Sequence, residues 1–398
     1  MSYKLLNKMF YKDFNEYTRL YNERFNGENA CHLNLKIHEN EAFFCFCPEL
    51  FKLCNDIFFL NKKVYEISST LPEAAIVQFT TKCLIDEIIL TNDIEGVYST
   101  RKEINRILTE NDNRKKQRFK GLVTKYRLLN NEELSLKSCE DIRKIYNELV
   151  LPEVIEDDPS NAPDGKLFRK EIAEVTTSTQ KVIHQGVYPE STITDYMQQA
   201  LKILDTEALP SLIKISVFHY LFGYIHPFYD GNGRTSRFIS SYLLAQDFEP
   251  LIGYRLSYTI KENISEYYEA FNICNDKHSC GDITPFILIF LKIIYKSFEN
   301  LVEALLKRKS ALDELDDKIK NLSELQPIYE ICYVLLQGSL FSPIGIPKNE
   351  LCETLEISES TLSKRLKEVE KAGYLIVKKD GRTKYYSLDT KRVKPGED

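Results

Sequence analysis

Twelve consecutive residues of this 398-residue chain, HPFYDGNGRTSR at positions 226–237, combine groups that handle protons with groups that bind phosphate. An imidazole such as that of His226, with an ordinary pKa of about 6.5, can take a proton from a hydroxyl group. Asp230 offers a hard oxygen ligand that can hold Mg²⁺ beside phosphates. Arg234 and Arg237 are three positions apart, so on a helix they share one face and can bind phosphate oxygens in a bidentate manner. Together these side chains indicate a site for a nucleoside triphosphate with a base beside it.

The elements that must position these side chains are predicted to be two helices joined by a tight turn. Apolar residues recur at helical spacing from Ile213 to Ile225, which predicts a buried helix that Pro227 ends. Gly231 and Gly233 allow the backbone to turn and to come close to a ligand, because they have no Cβ. A second helix is predicted after Gly233, and its first turn offers free N–H groups to an anion.

Each of these features also has an ordinary structural explanation. A histidine at a helix end is usually a structural hydrogen-bonding residue, a Gly-Asn-Gly sequence is usually a turn, and two arginines on a helix usually face solvent. Their combination at fixed spacing favours the phosphate site.

The stretch His226–Arg237 resembles the HPFx(D/E)GNGRxxR signature of Fic-domain proteins and matches it at every fixed position. The resemblance implies a mainly α-helical Fic fold with a β-hairpin flap. It also implies transfer of AMP from ATP to a Ser, Thr or Tyr hydroxyl of a protein, with release of pyrophosphate. By this resemblance His226 is the catalytic base and Asp230 holds Mg²⁺. The groups around the ATP phosphates are then Gly231, Asn232, Gly233, Arg234 and Arg237.

The stretch 266–291 resembles the helix that follows the active site in this family. The resemblance implies that Tyr267, Tyr268 and Asn275 line the adenine pocket. For each tyrosine, a core position at helical spacing is an equally good interpretation.

The stretch EVTTSTQKVIHQGV at 174–187 is rich in β-branched residues, which predicts a β-hairpin. It resembles the family's flap, which pairs with an extended segment of the target protein by strand addition. We therefore expect the part from Lys181 to His184, with Val182 and Ile183, to lie over the active site. We interpret His184 as a surface residue of the flap and not as a second base.

Upstream, Thr91–Gly96 (TNDIEG) resembles the inhibitory (S/T)xxxE(G/N) motif of these proteins and follows a helix predicted from about Pro72 to Asp93. The resemblance implies that Glu95 pairs with Arg237 and so occupies the group that should bind the γ-phosphate. The alternative is that Glu95 orients a water molecule for the removal of AMP from a modified protein.

The C-terminal stretch 347–388 reads as helix, turn, helix and a two-stranded wing that turns at Asp380-Gly381, and it resembles a winged helix–turn–helix. Its second helix, about Glu359–Ala372 with Ser358 as cap, is the expected recognition helix. From Ser360 to Lys394 there are eleven Lys or Arg and only four Asp or Glu, which is typical of a DNA-binding surface. Winged helices also serve as dimerisation or docking modules, so a homodimer or another protein is the alternative partner.

The fold class predicted for the whole chain is mainly α. Its predicted regions are an N-terminal region (1–98), the Fic catalytic domain (99–305), a charged linker helix (306–325) and the winged helix–turn–helix domain (326–398). A β-hairpin is expected at 30–47, a loop at 151–167, and a break between helices at 250–262.

Composition narrows the class of protein. The chain is 43% hydrophobic and 28% charged, with a net charge of −6, which is ordinary for a globular protein and excludes general nucleic-acid binding by the whole chain. We expect no membrane span and no secretory signal, because no apolar run is long enough. The ten cysteines form no CxxC pair, so we expect reduced thiols in the cytoplasm rather than zinc or disulfides.

The function expected from the sequence is therefore Mg²⁺-dependent AMP transfer from ATP to a protein, inhibited by Glu95. The alternatives are removal of AMP by the same site, or a DNA-binding regulator whose Fic domain senses nucleotide or modifies the protein itself.

Overall fold

The computed structural model describes residues 3–109, 117–129, 133–176, 182–381 and 383–393, and this part of the chain is mainly α-helical. The helices are α1 Leu6–Lys12, α2 Phe14–Phe25, α3 Pro48–Ser68, α4 Glu73–Ile94, α5 Arg101–Thr109, α6 Lys120–Arg127, α7 Cys139–Leu149, α8 Leu151–Asp157, α9 Glu190–Asp205, α10 Ser211–Ile225, α11 Asn232–Asp247, α12 Leu256–Glu262, α13 Ile264–Asn275, α14 Thr284–Asn321, α15 Tyr329–Phe341, α16 Lys348–Thr354, α17 Glu359–Ala372 and α18 Thr390–Val393. The strands are β1 Ala30–Ile37, β2 Asn40–Cys45, β3 Glu174–Thr176, β4 Val182–Gln185, β5 Ile346–Pro347, β6 Leu375–Asp380 and β7 Thr383–Leu388. No helix in these ranges has the length and apolar content that a membrane crossing requires.

The chain forms two compact units, each assembled from several segments. The larger unit consists of residues 1–61, 87–99 and 111–298, and the smaller unit of residues 62–86, 100–110 and 299–398. The four contiguous regions expected from the sequence divide the chain differently, and their boundaries stay a prediction.

The predicted hairpin at 30–47 is present in the larger unit as the antiparallel pair β1–β2. Leu33, Leu35 and Ile37 alternate with exposed positions and are buried, as expected for a strand with one face on the core. Phe43 on β2 donates its N–H to the Gly281 carbonyl at 3.0 Å, and the Ile283 N–H donates to the Phe43 carbonyl at 2.9 Å. These bonds attach the hairpin to the residues that precede α14.

Helix α10 forms the centre of the larger unit and packs against α9 and α11. It is apolar on all sides, and nearly every side chain from Leu212 to Ile225 is buried, which explains why the sequence shows a continuous apolar run instead of a stripe. The helix ends at Ile225 because Pro227 lacks the N–H that would continue it. The prediction of a buried helix that stops just before the motif is confirmed.

Two predictions about local structure are wrong. Residues 151–167 do not form a loop throughout, because Leu151–Asp157 is helix α8. Pro152 lies in its first turn, where a missing N–H has no cost, and Val154 is buried.

The second wrong prediction is the break at 250–262. Pro250–Tyr254 is a short 3₁₀ helix, but Leu256–Glu262 is helix α12 with Leu256 and Ile260 buried. The helix predicted at 306–325 is present as far as Asn321, where it forms the last turns of α14 and has no start of its own. Leu312, Leu315 and Ile319 form a buried stripe that continues the apolar face through the charged region.

In the smaller unit, the C-terminal elements occur in the predicted order. Strands β5, β7 and β6 form an antiparallel sheet in that spatial order, and β6 and β7 turn at the predicted Asp380-Gly381. Helix α17 has the predicted bounds, and Ser358 caps it by accepting from Thr361 N at 3.2 Å. Gly373 ends the helix in a left-handed conformation (φ +83°).

Candidate active site

The loop between α10 and α11 is held by its own hydrogen bonds. His226 directly follows α10 in a left-handed conformation (φ +51°), which turns the chain away from the helix axis. The Asn232 Oδ1 accepts from Phe228 N at 3.0 Å, and its Nδ2 donates to the Phe228 carbonyl at 2.8 Å. Asn232 was predicted to contact phosphate, but here both ends of its buried amide bind the loop backbone and fix the loop shape.

The two glycines of this loop are required for different reasons. Gly231 has φ +78°, and a Cβ there would lie 2.8 Å from Cγ2 of Val150. Gly233 is in the first turn of α11, and a Cβ there would overlap Oε1 of Glu95 and lie 2.8 Å from Nη1 of Arg237. The first turn of α11 therefore already has an anionic group against it, which is the carboxylate of Glu95.

Glu95 and Arg237 form the ion pair that the sequence predicts. Oε1 of Glu95 is 2.8 Å from Nη2 of Arg237, and Arg237 also donates from Nε to Thr91 Oγ1 and from Nη2 to the Thr91 carbonyl, both at 2.9 Å. Arg237 is 1% exposed. Burial is the largest single influence on the pKa of Arg237 and lowers it, but the charge and hydrogen bond of Glu95, together with Tyr267 and Tyr268, outweigh burial, so the pKa is raised. Thr91, the first residue of the predicted motif, thus holds the guanidinium together with Glu95.

A buried carboxylate that sequence reasoning missed attaches the segment of Glu95 to the rest of the larger unit. Glu87 lies on α4, two turns before Glu95, and both of its carboxylate oxygens accept from Ser257 N at 2.9 Å. Ser257 is in the first turn of α12, so Glu87 caps that helix. Burial raises the pKa of Glu87. Nearer the surface, Lys261 Nζ is 2.7 Å from Asp93 Oδ2.

Arg234 is paired with a second carboxylate that sequence reasoning missed, because its helix was taken for a loop. Nη1 of Arg234 is 3.3 Å from Oε2 of Glu153 on α8, and Nη2 is 3.6 Å from Oδ2 of Asp230. Burial raises the pKa of Glu153 to about 7, against the opposing effect of Arg234. Within the described ranges, Nε and Nη2 of this fully buried guanidinium have no hydrogen-bond partner. Arg234 can therefore bind a further anion.

A cavity of about 150 Å³ brings several predicted site residues together. Glu95, His226 and Arg237 line it, together with the three residues predicted to surround adenine, which are Tyr267, Tyr268 and Asn275. Asn232 and Gly233 also line the cavity, whereas Asp230, Gly231 and Arg234 do not.

The predicted adenine residues are held by polar groups on α10 that the sequence pattern did not single out. His219 is buried between Ser240 and Tyr267, with Nδ1 2.8 Å from Ser240 Oγ and Nε2 2.7 Å from the Tyr267 hydroxyl. Burial, with the nearby charge of Arg237, lowers the pKa of His219 to about 3. Tyr220 donates to Asn275 Oδ1 at 2.8 Å. The sequence feature that could have indicated them is the pair His219 and Tyr220 in the middle of a mostly apolar helix.

The surroundings of His226 favour its neutral imidazole form. Burial lowers the pKa of His226 to about 3, and the neighbouring His184 and Arg169 act in the same direction. A neutral ring can accept a proton, and phosphate groups beside it would raise its pKa, because negative charge favours the protonated form.

The predicted flap is present as the antiparallel pair β3–β4, in which Val175 pairs with His184. The backbone of Val182 and Ile183 belongs to β4, and Lys181 lies outside the described residues. The interpretation of His184 as a surface residue is wrong. It lines the cavity, and its Nε2 is 2.7 Å from the Tyr224 carbonyl oxygen. Burial lowers its pKa.

The residues present fit a magnesium ion that is held mostly by phosphate. Among the described residues there is no cluster of three His, Cys, Asp or Glu that could hold a metal by itself. Asp230 has a partly exposed carboxylate, with 38% of its side chain accessible, just before α11. One carboxylate together with substrate phosphates is a common environment for Mg²⁺.

Residues 136–244 match the model of the Fic/DOC family, and this range includes His226, Arg234 and Arg237. The chain therefore contains a Fic domain. It resembles a crystal structure of a Fic family protein from Desulfovibrio desulfuricans G20 with a TM-score of 0.52, at 17% sequence identity, over 87% of this chain and 97% of that one. At this identity the likeness shows the fold.

Two curated relatives are similar to part of this chain. "Protein adenylyltransferase Fic" of Drosophila erecta is 35% identical over 94 residues, which are 23% of this chain. The protein of the same name from Drosophila virilis is 31% identical over 137 residues, which are 33% of this chain. The matched stretches make up only 17% and 26% of the relatives' own lengths, so the activity in their names is a proposal for this chain.

Proposed function

We propose that the protein transfers AMP from ATP to a hydroxyl group of a protein and that Glu95 inhibits this transfer. The observation that carries the proposal is the arrangement of one cavity. His226, Arg237 and the predicted adenine residues line it, and the carboxylate of Glu95 lies against the first turn of α11.

In the proposed reaction, a Ser, Thr or Tyr oxygen of the target attacks the α-phosphorus of ATP, and His226 takes the hydroxyl proton. The bond between the α-phosphorus and the bridging oxygen breaks, and pyrophosphate leaves. The chain's own groups position the nucleotide and stabilise charge, since phosphoryl-type transfer needs little covalent catalysis. The guanidinium of Arg234, in which Nε and Nη2 make no hydrogen bond to the described residues, and the fork of Arg237 supply the positive charge.

Inhibition follows from competition for one guanidinium. Glu95 occupies Arg237, so a γ-phosphate cannot use the same fork while the pair is closed. Displacing Glu95 leaves a buried cation that an anionic phosphate can satisfy. A closed state favoured by about 2–3 kcal/mol would leave a few per cent of the molecules active, or fewer.

The direct test is labelling with radioactive ATP and Mg²⁺. Glu95→Gly should label itself about 30-fold to 100-fold faster than wild type, because the fork of Arg237 becomes available. Adding His226→Ala should then reduce transfer by at least about 100-fold while ATP binding, measured by calorimetry, is kept.

The matched control is Asp93→Asn, which removes another carboxylate from the same segment but leaves Glu95 in place. We expect its labelling to stay within about twofold of wild type, since surface ion pairs contribute little. Equal labelling by wild type and Glu95→Gly at saturating ATP would show that Glu95 does not inhibit.

For the metal, Asp230 is the residue that would hold Mg²⁺, and the ion would neutralise phosphate charge during transfer. In the Glu95→Gly background, Asp230→Ala should need about tenfold more Mg²⁺ for half-maximal labelling. An unchanged Mg²⁺ titration would remove Asp230 as the ligand.

A second enzymatic candidate is removal of AMP from a modified protein. In that reaction, a water molecule attacks the phosphorus of the attached AMP, and the bond between the phosphorus and the protein oxygen breaks. The protein oxygen takes a proton, so the products are AMP and the free protein hydroxyl. The observation that favours it is that Glu95 lines the same cavity as His226, with 26% of its side chain accessible to solvent. To test it, protein that Glu95→Gly has labelled with radioactive AMP is incubated with unlabelled enzyme, and the label that remains is measured. Loss of label with wild type, but not with Glu95→Gly or His226→Ala, would support removal.

A candidate of a different class is regulation through DNA binding by the C-terminal elements, which we propose to be a winged helix. The exposed positions of α17 include Lys364, Lys367 and Lys371, and Lys378 and Lys379 are exposed on β6. Such a row of cations fits the phosphate backbone of a duplex. A gel shift of the full chain with duplex DNA at moderate salt tests this proposal.

We also propose that the protein works in a reducing compartment such as the cytoplasm. The ten cysteines all lie in the described ranges, and none of them forms a disulfide bond, as expected where thiols are kept reduced.

A further inference from the structure

Arg169 is a fully buried arginine between α8 and the flap, and its partners are unusual for a buried cation. All of its side-chain hydrogen bonds go to backbone carbonyl oxygens, and no ion pair with a carboxylate involves it in the described part of the chain. Burial lowers its pKa. A buried charge without a counter-ion is costly, so the bonds that it makes must hold it in place.

The carbonyls that Arg169 binds belong to two groups. Its Nε donates to the His226 carbonyl at 2.8 Å and its Nη2 to the Ile225 carbonyl at 3.3 Å. These two carbonyls are at the end of α10, where the helix leaves acceptors unpaired and where a cation is favourable. Arg169 therefore acts as the C-terminal cap of the helix that presents His226.

The second group lies at the two ends of the flap. Nη1 donates to the Glu171 carbonyl at 2.6 Å, three residues before β3, and Nη2 donates to the Val187 carbonyl at 2.8 Å, two residues after β4. The main chain repeats the connection, since Arg169 N donates to the Pro227 carbonyl at 3.2 Å and Val187 N to the Ile225 carbonyl at 3.1 Å. One guanidinium thus joins both ends of the flap to the carbonyls of Ile225 and His226.

Gly186 shows how closely these parts approach. A Cβ at this position would overlap Nη2 of Arg169 and lie 2.9 Å from Cβ of His226. The flap, the guanidinium and the histidine therefore meet at one point with no space for a side chain.

We propose that Arg169 is a positioning residue that ties the flap to the backbone of His226, so that the base is in place only when the flap is correctly seated. The proposal rests on the proposed function, because it needs His226 to be the base and the flap to receive the target. Arg169 does not line the nucleotide cavity. Its loss should therefore affect turnover and leave nucleotide affinity nearly unchanged.

The experiment uses full-length protein in the Glu95→Gly background and measures the rate of self-labelling with radioactive ATP and the ATP dissociation constant by calorimetry. Arg169→Gln should lower the labelling rate at saturating ATP about 100-fold, the scale expected when a catalytic group is displaced by about 1 Å. The dissociation constant should change by less than about twofold. Arg169→Lys should recover only part of the rate, because an ammonium group cannot reach carbonyls on several sides at once.

Arg143→Gln is the matched control, because Arg143 also donates to a backbone carbonyl, that of Leu167 at 2.7 Å, but makes no hydrogen bond to His226 or to the described residues of the flap. It should keep the parent rate. If Arg169→Gln does not fold, Gly186→Ala tests the same contact without removing the charge, and it should show the same loss of rate at constant affinity.

A normal rate in Arg169→Gln or Gly186→Ala, or an ATP affinity that falls in step with the rate, would overturn the proposal. An inactive Glu95→Gly parent would instead count against the proposed function, so the two failures can be told apart.

Discussion

Helices α11 and α17 both carry basic residues in their first turns or close to them, but the two helices use these residues in opposite ways. On α11, Arg234 and Arg237 are 0% and 1% exposed, and each is held by carboxylates from other helices or segments. On α17, Ser358 satisfies the first turn, Lys364 and Lys367 are exposed, and Arg365 pairs with Glu330 at the surface.

The difference teaches what each helix can recognise. A buried guanidinium with fixed neighbours accepts an anion of one size in one position, and an unsuitable neighbour blocks it completely. Exposed cations attract any polyanion, each with a small contribution that salt screens. The effects of substitutions should therefore be large and specific on α11 and smaller, additive and salt-dependent on α17.

The largest effect is expected at Arg237. In the Glu95→Gly background, Arg237→Ala should cancel the gain in labelling, a loss of about 30-fold to 100-fold, because the γ-phosphate loses its fork. Arg237→Lys keeps the charge but not the bidentate geometry, so it should recover only a minor part. If lysine restored the full rate, only the positive charge at position 237 would matter and not the geometry of the guanidinium. The expected difference between α11 and α17 would then be wrong.

An intermediate effect is expected on α17. Replacing Lys364, Arg365 and Lys367 by Glu should lower the affinity of the full chain for duplex DNA at least about tenfold. It should also reduce the slope of log affinity against log salt, by about one for each phosphate that the variant no longer neutralises. Self-labelling of the same variant in the Glu95→Gly background serves as the control and should be unchanged. Binding that is weak but insensitive to salt, or no salt-sensitive binding by the wild type, would favour a protein partner or a second copy of the chain.

The smallest effect concerns the two arginine–carboxylate pairs, Arg234–Glu153 and Arg365–Glu330. The folded-state pKa of Glu153 is about 7, above its value in an unfolded chain, so its contribution to stability is present below about pH 4.5 and is lost as the pH rises towards 7. Glu153→Gln stays neutral, so the Tm of this variant relative to wild type should increase by a few degrees from pH 5 to pH 8.

The matched substitution at the exposed pair, Glu330→Gln, should change Tm by no more than about 1 °C at either pH. Thermal unfolding followed by circular dichroism at both pH values measures the two variants. A Tm difference for Glu153→Gln that did not depend on pH would show that Glu153 is ionised in the folded protein throughout this range.

Much of the candidate site could be predicted because its chemistry lies in a short stretch of sequence. Residues 226–237 carry the predicted base, the glycine turn and the two arginines within one loop and the start of one helix. The relative positions of these groups therefore follow from the local sequence. The pairing of Glu95 with Arg237 was also predicted, although 142 positions separate them, because the resemblance supplied the long-range contact that periodicity cannot give.

The residues that were missed act through tertiary contacts. Glu153 was hidden because Pro152 and the acidic residues after it suggested a loop, whereas proline is tolerated in a first helical turn. Arg169 has no recognisable pattern, since its partners are backbone carbonyls that any residue could supply. Asn232 was predicted as a site residue, and its contact with phosphate stays a prediction. That both ends of its side-chain amide bind the Phe228 backbone is visible only in the folded loop.

The contact between Gly233 and the Glu95 carboxylate has a genetic consequence. The groups against which the carboxylate lies are the same groups proposed to hold phosphate, so substitutions of Gly233 or Arg237 should remove the proposed inhibition and the proposed activity together. Gain-of-function alleles should therefore arise almost entirely in the short segment that carries Glu95, and a single nucleotide change in either glutamate codon is enough to give glycine. For a cell, this makes uncontrolled activation a rare event that maps to very few codons, while inactivating alleles can occur throughout the domain.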